Sequence, residues 1–241
     1  MLCVGCSISA MVAILIFVLS RNTATSICGS YMTKRSETYP APLILDMHGK
    51  GMPAEDEMDT SGYMNIKDAH VVWPDGYKRT WAAGANTYPP ATSDGVDHVS
   101  CLSDIIRQVK REYNISFVVA TGISNGCAMS QRLALETELI DVVACASHGV
   151  AVANSSSLSA VDFMLVMGDL DHIWLNGVPN TLRLWSERNQ CNGSSTHDTG
   201  EGVRQIYACK HGRLEYLLLS DVGHFIYNQA KHTMSFINAR R

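Results

Sequence analysis

The sequence predicts an α/β fold, a mostly parallel sheet with helices on both faces. Three observations carry that expectation. Short apolar runs at Leu43–Met47, His70–Trp73, Phe117–Ala120, Val142–Ala146, Val161–Met167 and Leu214–Leu219 have the unbroken, β-branched character of strands buried on both sides. Segments with helical signals separate them, and alternating strands and helices are the pattern of a parallel sheet. The chain has 241 residues and is 46% hydrophobic, enough to bury one sizeable core, and α/β folds of this length are commonly one domain.

Each element has its own signal. Met1–Ser20 carries no charged side chain, and Ile8–Leu19 is an apolar run of signal-peptide rather than membrane-span length. Small residues at Asn22–Ser26 suit a signal peptidase, so cleavage is expected there. Arg21, Lys34 and Arg35 follow the run and no Lys or Arg precedes it, a charge bias that keeps an uncleaved signal anchor open. Residues 1–25 are therefore read as signal peptide or signal anchor and 26–241 as the folded domain.

Thr33–Pro42 is polar and leads into the strand Leu43–Met47, which runs into His48-Gly49-Lys50-Gly51. Glycines on both sides of Lys50 let the backbone turn tightly and aim N–H groups outward, although an ordinary strand-ending turn would look the same. Pro53–Lys67 suits a helix, with Glu55, Asp56 and Glu57 near its start where the helix dipole favours acids. Pro74-Asp75-Gly76 ends the next strand as a turn. Residues 77–96 form a long loop; its aromatics Trp81 and Tyr88 suit substrate binding or capping of the core. Asp97–Tyr113 is an amphipathic helix with Val99, Leu102, Ile105, Ile106 and Val109 at helical spacing. Helices are also expected after Ser124, at Pro179–Glu187 and at Lys231–Ala239.

Composition narrows the functional classes. The formal charge is −4 and the isoelectric point about 6.1, with no basic block, so nucleic acid is not an expected partner. Of eight cysteines, Cys127 and Cys145 lie in helix and strand patterns and read as buried thiols, while Cys191 and Cys209 lie in a polar region where a bridge would clip a long loop. The pairing of Cys28, Cys101, Cys127 and Cys145 is open. Sequons at Asn114, Asn154 and Asn192 permit glycosylation in a secreted protein.

The chemistry concentrates at Gly122-Ile123-Ser124-Asn125-Gly126, a G-x-S-x-G pattern between a strand and a helix. A nucleophile on a sharp strand-to-helix turn needs neighbours without Cβ, and the following helix offers free N–H groups to an oxyanion. A bare G-x-S-x-G is common enough to arise as a Gly-rich turn; the partners decide it. Ligands bind at the carboxyl ends of strands in such sheets. Asp171 follows the strand Val161–Met167, and His224 follows Leu214–Leu219. The order Ser124, Asp171, His224 is that of the α/β-hydrolases. A serine hydroxyl needs an imidazole to take its proton, and the imidazole needs a carboxylate to fix its tautomer.

A wider series of motifs bears on this: His48–Gly51, Trp73–Gly76, Thr80–Gly84, Asp94–Val99, Gly122–Gly126, Gly168–Asp171, Trp185 with Asn189–Cys191, and Gly223-His224. Over about Leu43–Tyr227 the chain resembles the secreted polyhydroxybutyrate depolymerase and feruloyl esterase group of α/β-hydrolases. That resemblance implies Ser124 as nucleophile, Asp171 rather than Asp169 as acid, His224 as base, and oxyanion donors from the backbone of Asn125 and Lys50. It implies a Cys191–Cys209 bridge, no metal or organic cofactor, and an ester substrate (a small molecule, a polyester or a plant cell-wall ester). Membranes enter only if the N-terminal segment is uncleaved. Only about 17 residues separate the leader from Leu43, so the N-terminal strands of the α/β-hydrolase fold are expected to be shortened, and Phe225-Ile226 stands where the group carries Trp-Pro after the histidine. A peptidase of the same fold and a catalytically silent binding or membrane-anchored relative are the alternatives.

Overall fold

The computed structural model describes residues 20–26, 29–84, 89–149 and 159–239. Its centre is six parallel strands: β3 (Ala41–Met47), β4 (His70–Pro74), β5 (Ile115–Gly122), β6 (Val142–Ala146), β7 (Asp162–Gly168) and β10 (Leu214–Leu219). Antiparallel pairs extend both edges. β1 (Ser20–Ser26) and β2 (Gly29–Lys34) add to β4, while β8 (Cys191–Asp198) and β9 (Gly202–Cys209) add to β10. The order across the sheet is β1-β2-β4-β3-β5-β6-β7-β10-β9-β8.

Period-two side chains supply two cores from each central strand. Leu43, Leu45 and Met47 face the side covered by α2 (His98–Glu112), α3 (Asn125–Glu136) and α4 (Val178–Asn189), where Leu102, Ile106, Leu133 and Trp185 pack. Ile44 faces the opposite side, with Ala54 of α1 (Ala54–Thr60) and Phe236 and Ile237 of α5 (Gln229–Asn238). Local signals set the ends: the Asp97 side chain accepts the Ser100 N–H at 3.0 Å to cap α2, and Gln190 closes α4 in a left-handed conformation.

The α1/α5 face also buries two carboxyl groups. Asp46 of β3 and Glu57 of α1 are fully buried, Asp46 accepting from Trp73 Nε1 and Glu57 from Gln229 Nε2, both at 2.9 Å. Burial pushes Asp46 up to about 7, and burial together with the Asp46 charge pushes Glu57 well above its usual range. The two share protons that free carboxyls would have released.

The structure corrects three expectations. Two strands precede β3, because β1 is drawn from residues 20–26, which the sequence reading gave mostly to the leader; the N-terminal side of the sheet is not shortened to β3 alone. The expected cleavage window Asn22–Ser26 falls within β1, while residues 1–19 lie outside the described residues. The region clipped by Cys191 and Cys209 is not a loop but the β8–β9 hairpin, with the two cysteines facing one another across it and bonded. Cys127 and Cys145 are not thiols: they form a disulfide that ties the first turn of α3 to β6. Cys101 on α2 is disulfide-bonded as well. No helix among the described residues is long and apolar enough to cross a membrane.

Candidate active site

The strand-to-helix turn at Ser124 is built by close approach. α3 crosses the carboxyl end of β3 so tightly that a Cβ on Gly126 would lie 1.8 Å from the Met47 carbonyl oxygen, and one on Gly122 would lie 2.0 Å from it. Gly122 also sits at φ +141°, where side chains are rarely tolerated. Between them Ser124 adopts φ 54°, ψ −115°, a strained backbone for a residue with a Cβ, which costs on the order of 1–3 kcal/mol. The Ser124 N–H donates to Ala146 at 2.9 Å, and Ala128 N–H returns to the Ser124 carbonyl, so the surrounding strands hold the turn. The Cys127–Cys145 bridge fastens the same turn from behind.

At the carboxyl end of β7 the chain turns through Gly168. A Cβ there would lie 2.0 Å from the Val222 carbonyl oxygen, so this glycine lets the acid loop meet the histidine loop. The meeting places Asp171 Oδ2 at 2.9 Å from His224 Nδ1. The Asp171 side chain is fully buried, and its Oδ1 accepts backbone N–H groups from Ile173 at 3.0 Å and Trp174 at 3.2 Å. Asp169, two residues earlier, is only half-buried and accepts the Val222 N–H at 3.4 Å. With Nδ1 engaged, the opposite nitrogen, Nε2, is the one available to a reacting group.

The segment after β3 abuts this turn. A Cβ on Gly49 would lie 3.4 Å from the Ile123 side chain, and one on Gly126 2.8 Å from the His48 carbonyl oxygen. His48 is fully buried; Nδ1 donates to the Gly49 carbonyl at 2.8 Å and Nε2 accepts the Gly76 N–H at 2.9 Å. Burial lowers its pKa, so the ring stays neutral and serves as a clamp between two turns. Lys50 is exposed at the tip of this segment, and Asn125 begins α3. The Asn125 side chain is spent elsewhere: Oδ1 accepts the Trp81 N–H at 2.7 Å and Nδ2 donates to the Trp81 carbonyl at 3.0 Å.

Trp81 is also a correction. Its ring has no exposed surface, donates Nε1–H to the His48 carbonyl at 2.9 Å, and packs against His48 and His98. A side chain so enclosed supports the His48–Gly51 segment and cannot touch a substrate. Tyr88 lies outside the described residues. One residue near the acid was not anticipated: His148, buried at the carboxyl end of β6, with its ring 3.9 Å from that of Trp174. Burial, with the nearby His224 adding, pushes it down to about 4, so it is neutral near pH 7. Its carbonyl accepts from Gln131 Nε2 at 3.3 Å, and Gln131 Oε1 accepts from Trp185 Nε1 at 3.1 Å, linking α4 through α3 to the segment after β6. The strand-end rule that marked Asp171 and His224 would have marked it too.

No family model matches the sequence, and no curated protein matches it. Solved structures do. An acetyl xylan esterase from Aspergillus awamori aligns with a TM-score of 0.71 at 13% identity, over 91% of this chain and 98% of that one. A carboxylesterase from Mesorhizobium loti gives 0.66 at 13%, over 90% and 98%. A CE1 ferulic acid esterase from the anaerobic fungus Anaeromyces mucronatus gives 0.59 at 15%, over 91% and 88%. The chain has the α/β-hydrolase fold.

Proposed function

We propose that this chain is a secreted serine esterase that hydrolyses carboxylic esters through an acyl-enzyme, of the polyhydroxybutyrate depolymerase or feruloyl esterase kind. Ser124 Oγ attacks the ester carbonyl carbon while His224 Nε2 takes its proton. Asp171 holds the ring so that Nδ1 keeps its own proton and the imidazolium is stabilised. The oxyanion accepts hydrogen bonds from the backbone N–H groups of Asn125 and Lys50. His224 then gives its proton to the departing alcohol, leaving the acyl group on Ser124, and a water activated by the same imidazole releases the acid. The reading calls on no cofactor.

The observation that carries it is the Asp171–His224 contact at 2.9 Å, made by a buried carboxylate at the same carboxyl edge of the sheet at which β5 ends in Ser124 at φ 54°. An ester-hydrolysing role is also in keeping with the likeness to acetyl xylan and ferulic acid esterases. Secretion is supported by the apolar run Ile8–Leu19 and by the Cys127–Cys145 and Cys191–Cys209 bridges, which persist in oxidising compartments. Asn114 and Asn192, two of the three sequon asparagines, are exposed. Turnover of p-nitrophenyl acetate tests the reading: the wild-type chain turns it over, and Ser124→Ala, with an unchanged thermal melt, lowers turnover by several powers of ten. Equal activity in the two proteins would refute it.

A further inference from the structure

Large hydrophobic side chains exposed singly need no explanation, but a group of them around a site does. Among the described residues, four such side chains flank the two residues that meet at 2.9 Å: Leu170 (50% exposed) and Ile173 (64%) beside Asp171, and Phe225 (58%) and Tyr227 (70%) beside His224. The two loops are joined. Leu170 N–H donates to the Val222 carbonyl at 3.0 Å, and the Phe225 ring stands edge-on to the His224 ring with centroids 5.5 Å apart.

Their position relative to the chemistry gives them a meaning, which rests on the ester-hydrolase reading above. His224 Nδ1 is engaged by Asp171, so the proton taken from Ser124 resides on Nε2. When the tetrahedral intermediate collapses, the bond from carbon to the alkoxy oxygen breaks and that oxygen leaves with the Nε2 proton. The alcohol half of the ester must therefore lie beside His224 as it departs, on the side where Phe225 packs edge-on to the ring. We propose that Leu170, Ile173, Phe225 and Tyr227 form a leaving-group subsite that selects esters of long or bulky apolar alcohols. A polar alcohol gains little from such a rim, because its hydroxyls would lose water without finding hydrogen-bond partners. An alkyl or aryl alcohol gains by covering side chains that water otherwise surrounds.

The test uses the full chain and esters that differ on one side at a time. Ethyl acetate and octyl acetate share the acyl group, and their alcohols are equally poor leaving groups, so a difference in kcat/KM reports contacts to the alcohol chain. Ethyl octanoate moves the same chain to the acyl side. The wild-type protein is expected to prefer octyl over ethyl acetate by roughly tenfold or more, since each well-covered methylene can contribute severalfold. Phe225→Ser and Tyr227→Ser, each with an unchanged melting temperature, are expected to cut that preference at least threefold. They should leave the preference for ethyl octanoate over ethyl acetate within twofold. An octyl-to-ethyl ratio near one in the wild type, with both acetates turned over, overturns the subsite and leaves the esterase reading standing. So does an equal loss on the acyl and alcohol sides in both variants. Failure to turn over any of these esters or p-nitrophenyl acetate overturns both.

Discussion

Asp171→Asn separates orientation from folding, because the two oxygens of Asp171 do different work. Oδ1 accepts the N–H groups of Ile173 and Trp174, and an asparagine oxygen can do the same, so the turn after β7 is kept. Oδ2 faces His224 Nδ1 at 2.9 Å, and there an asparagine presents an NH2 group that donates. Nδ1 must then accept, the ring proton moves to Nε2, and Nε2 can no longer receive the proton of Ser124. The lost charge can be sized as well. Unit charges centred about 4 Å apart at an effective dielectric of about 20 attract by about 4 kcal/mol, close to three powers of ten in rate. The wrong tautomer adds to this, so kcat on p-nitrophenyl acetate should fall by about three to four powers of ten while the thermal melt changes little. Asp169→Asn, at a half-buried position bonded at 3.4 Å to Val222, should cost less than tenfold. If Asp169→Asn proves the more damaging of two folded variants, Asp171 does not hold the role assigned to it.

Three further outcomes are expected. Gly126→Ala, whose new Cβ would meet the Met47 backbone oxygen at 1.8 Å, should lower unfolding free energy by more than about 3 kcal/mol or prevent folding; an unshifted denaturant midpoint would contradict the tight crossing of α3 over β3. Peptide mapping without reduction should recover Cys127–Cys145 and Cys191–Cys209 as linked pairs, each closing 18 residues of separation and contributing about 3 kcal/mol in the chain-entropy view; free thiols at either pair would contradict the bridge. Between about pH 4 and pH 7 the Asp46–Glu57 pair should contribute less stability as pH rises, while buried neutral histidines such as His148, held down to about 4, contribute more. The folded Asp46–Glu57 pair holds protons that the unfolded carboxyls release near pH 4, so unfolding releases protons across that window, at a cost on the order of 4 kcal/mol for the Asp46 shift. Relative to wild type, the double variant Asp46→Asn/Glu57→Gln should gain melting temperature as pH rises across that window, and a difference between the two proteins that does not change with pH would contradict the raised pKa values of the pair.

The parallel core was legible because burial on both faces leaves a continuous apolar signature. Val142–Ala146 and Leu214–Leu219 match the expected strands residue for residue, and the other four central strands agree to within a few residues at each end. The edge strands left no such mark. β8 reads Cys-Asn-Gly-Ser-Ser-Thr-His-Asp and is almost wholly exposed, so its strand character comes from pairing with β9 rather than from apolar pattern. β1 was hidden differently, since Ser20–Ser26 reads as the small-residue end of a leader. At the site, Ser124, Asp171 and His224 could be proposed because chain order and strand-end position are both one-dimensional facts. Trp81 misled for a physical reason: an aromatic in a long loop looks the same in sequence whether it faces a ligand or, as here, is drawn under the loop by Asn125 and the His48 carbonyl. The Asp46–Glu57 pair depends on α1 folding back over β3, and sequence separation gives no hint of it.

The claim on which the rest depends is that Ser124 is an activated nucleophile. Reaction of the folded protein with a fluorophosphonate, which loses fluoride to a nucleophilic oxygen and leaves a phosphonyl group attached, followed by intact-mass measurement and peptide mapping, tests it most directly. One adduct is predicted, on the peptide that carries Ser124, and it should be absent from heat-denatured protein and from Ser124→Ala. A folded wild-type chain that takes up no phosphonyl group, or an adduct that persists in Ser124→Ala, would contradict it.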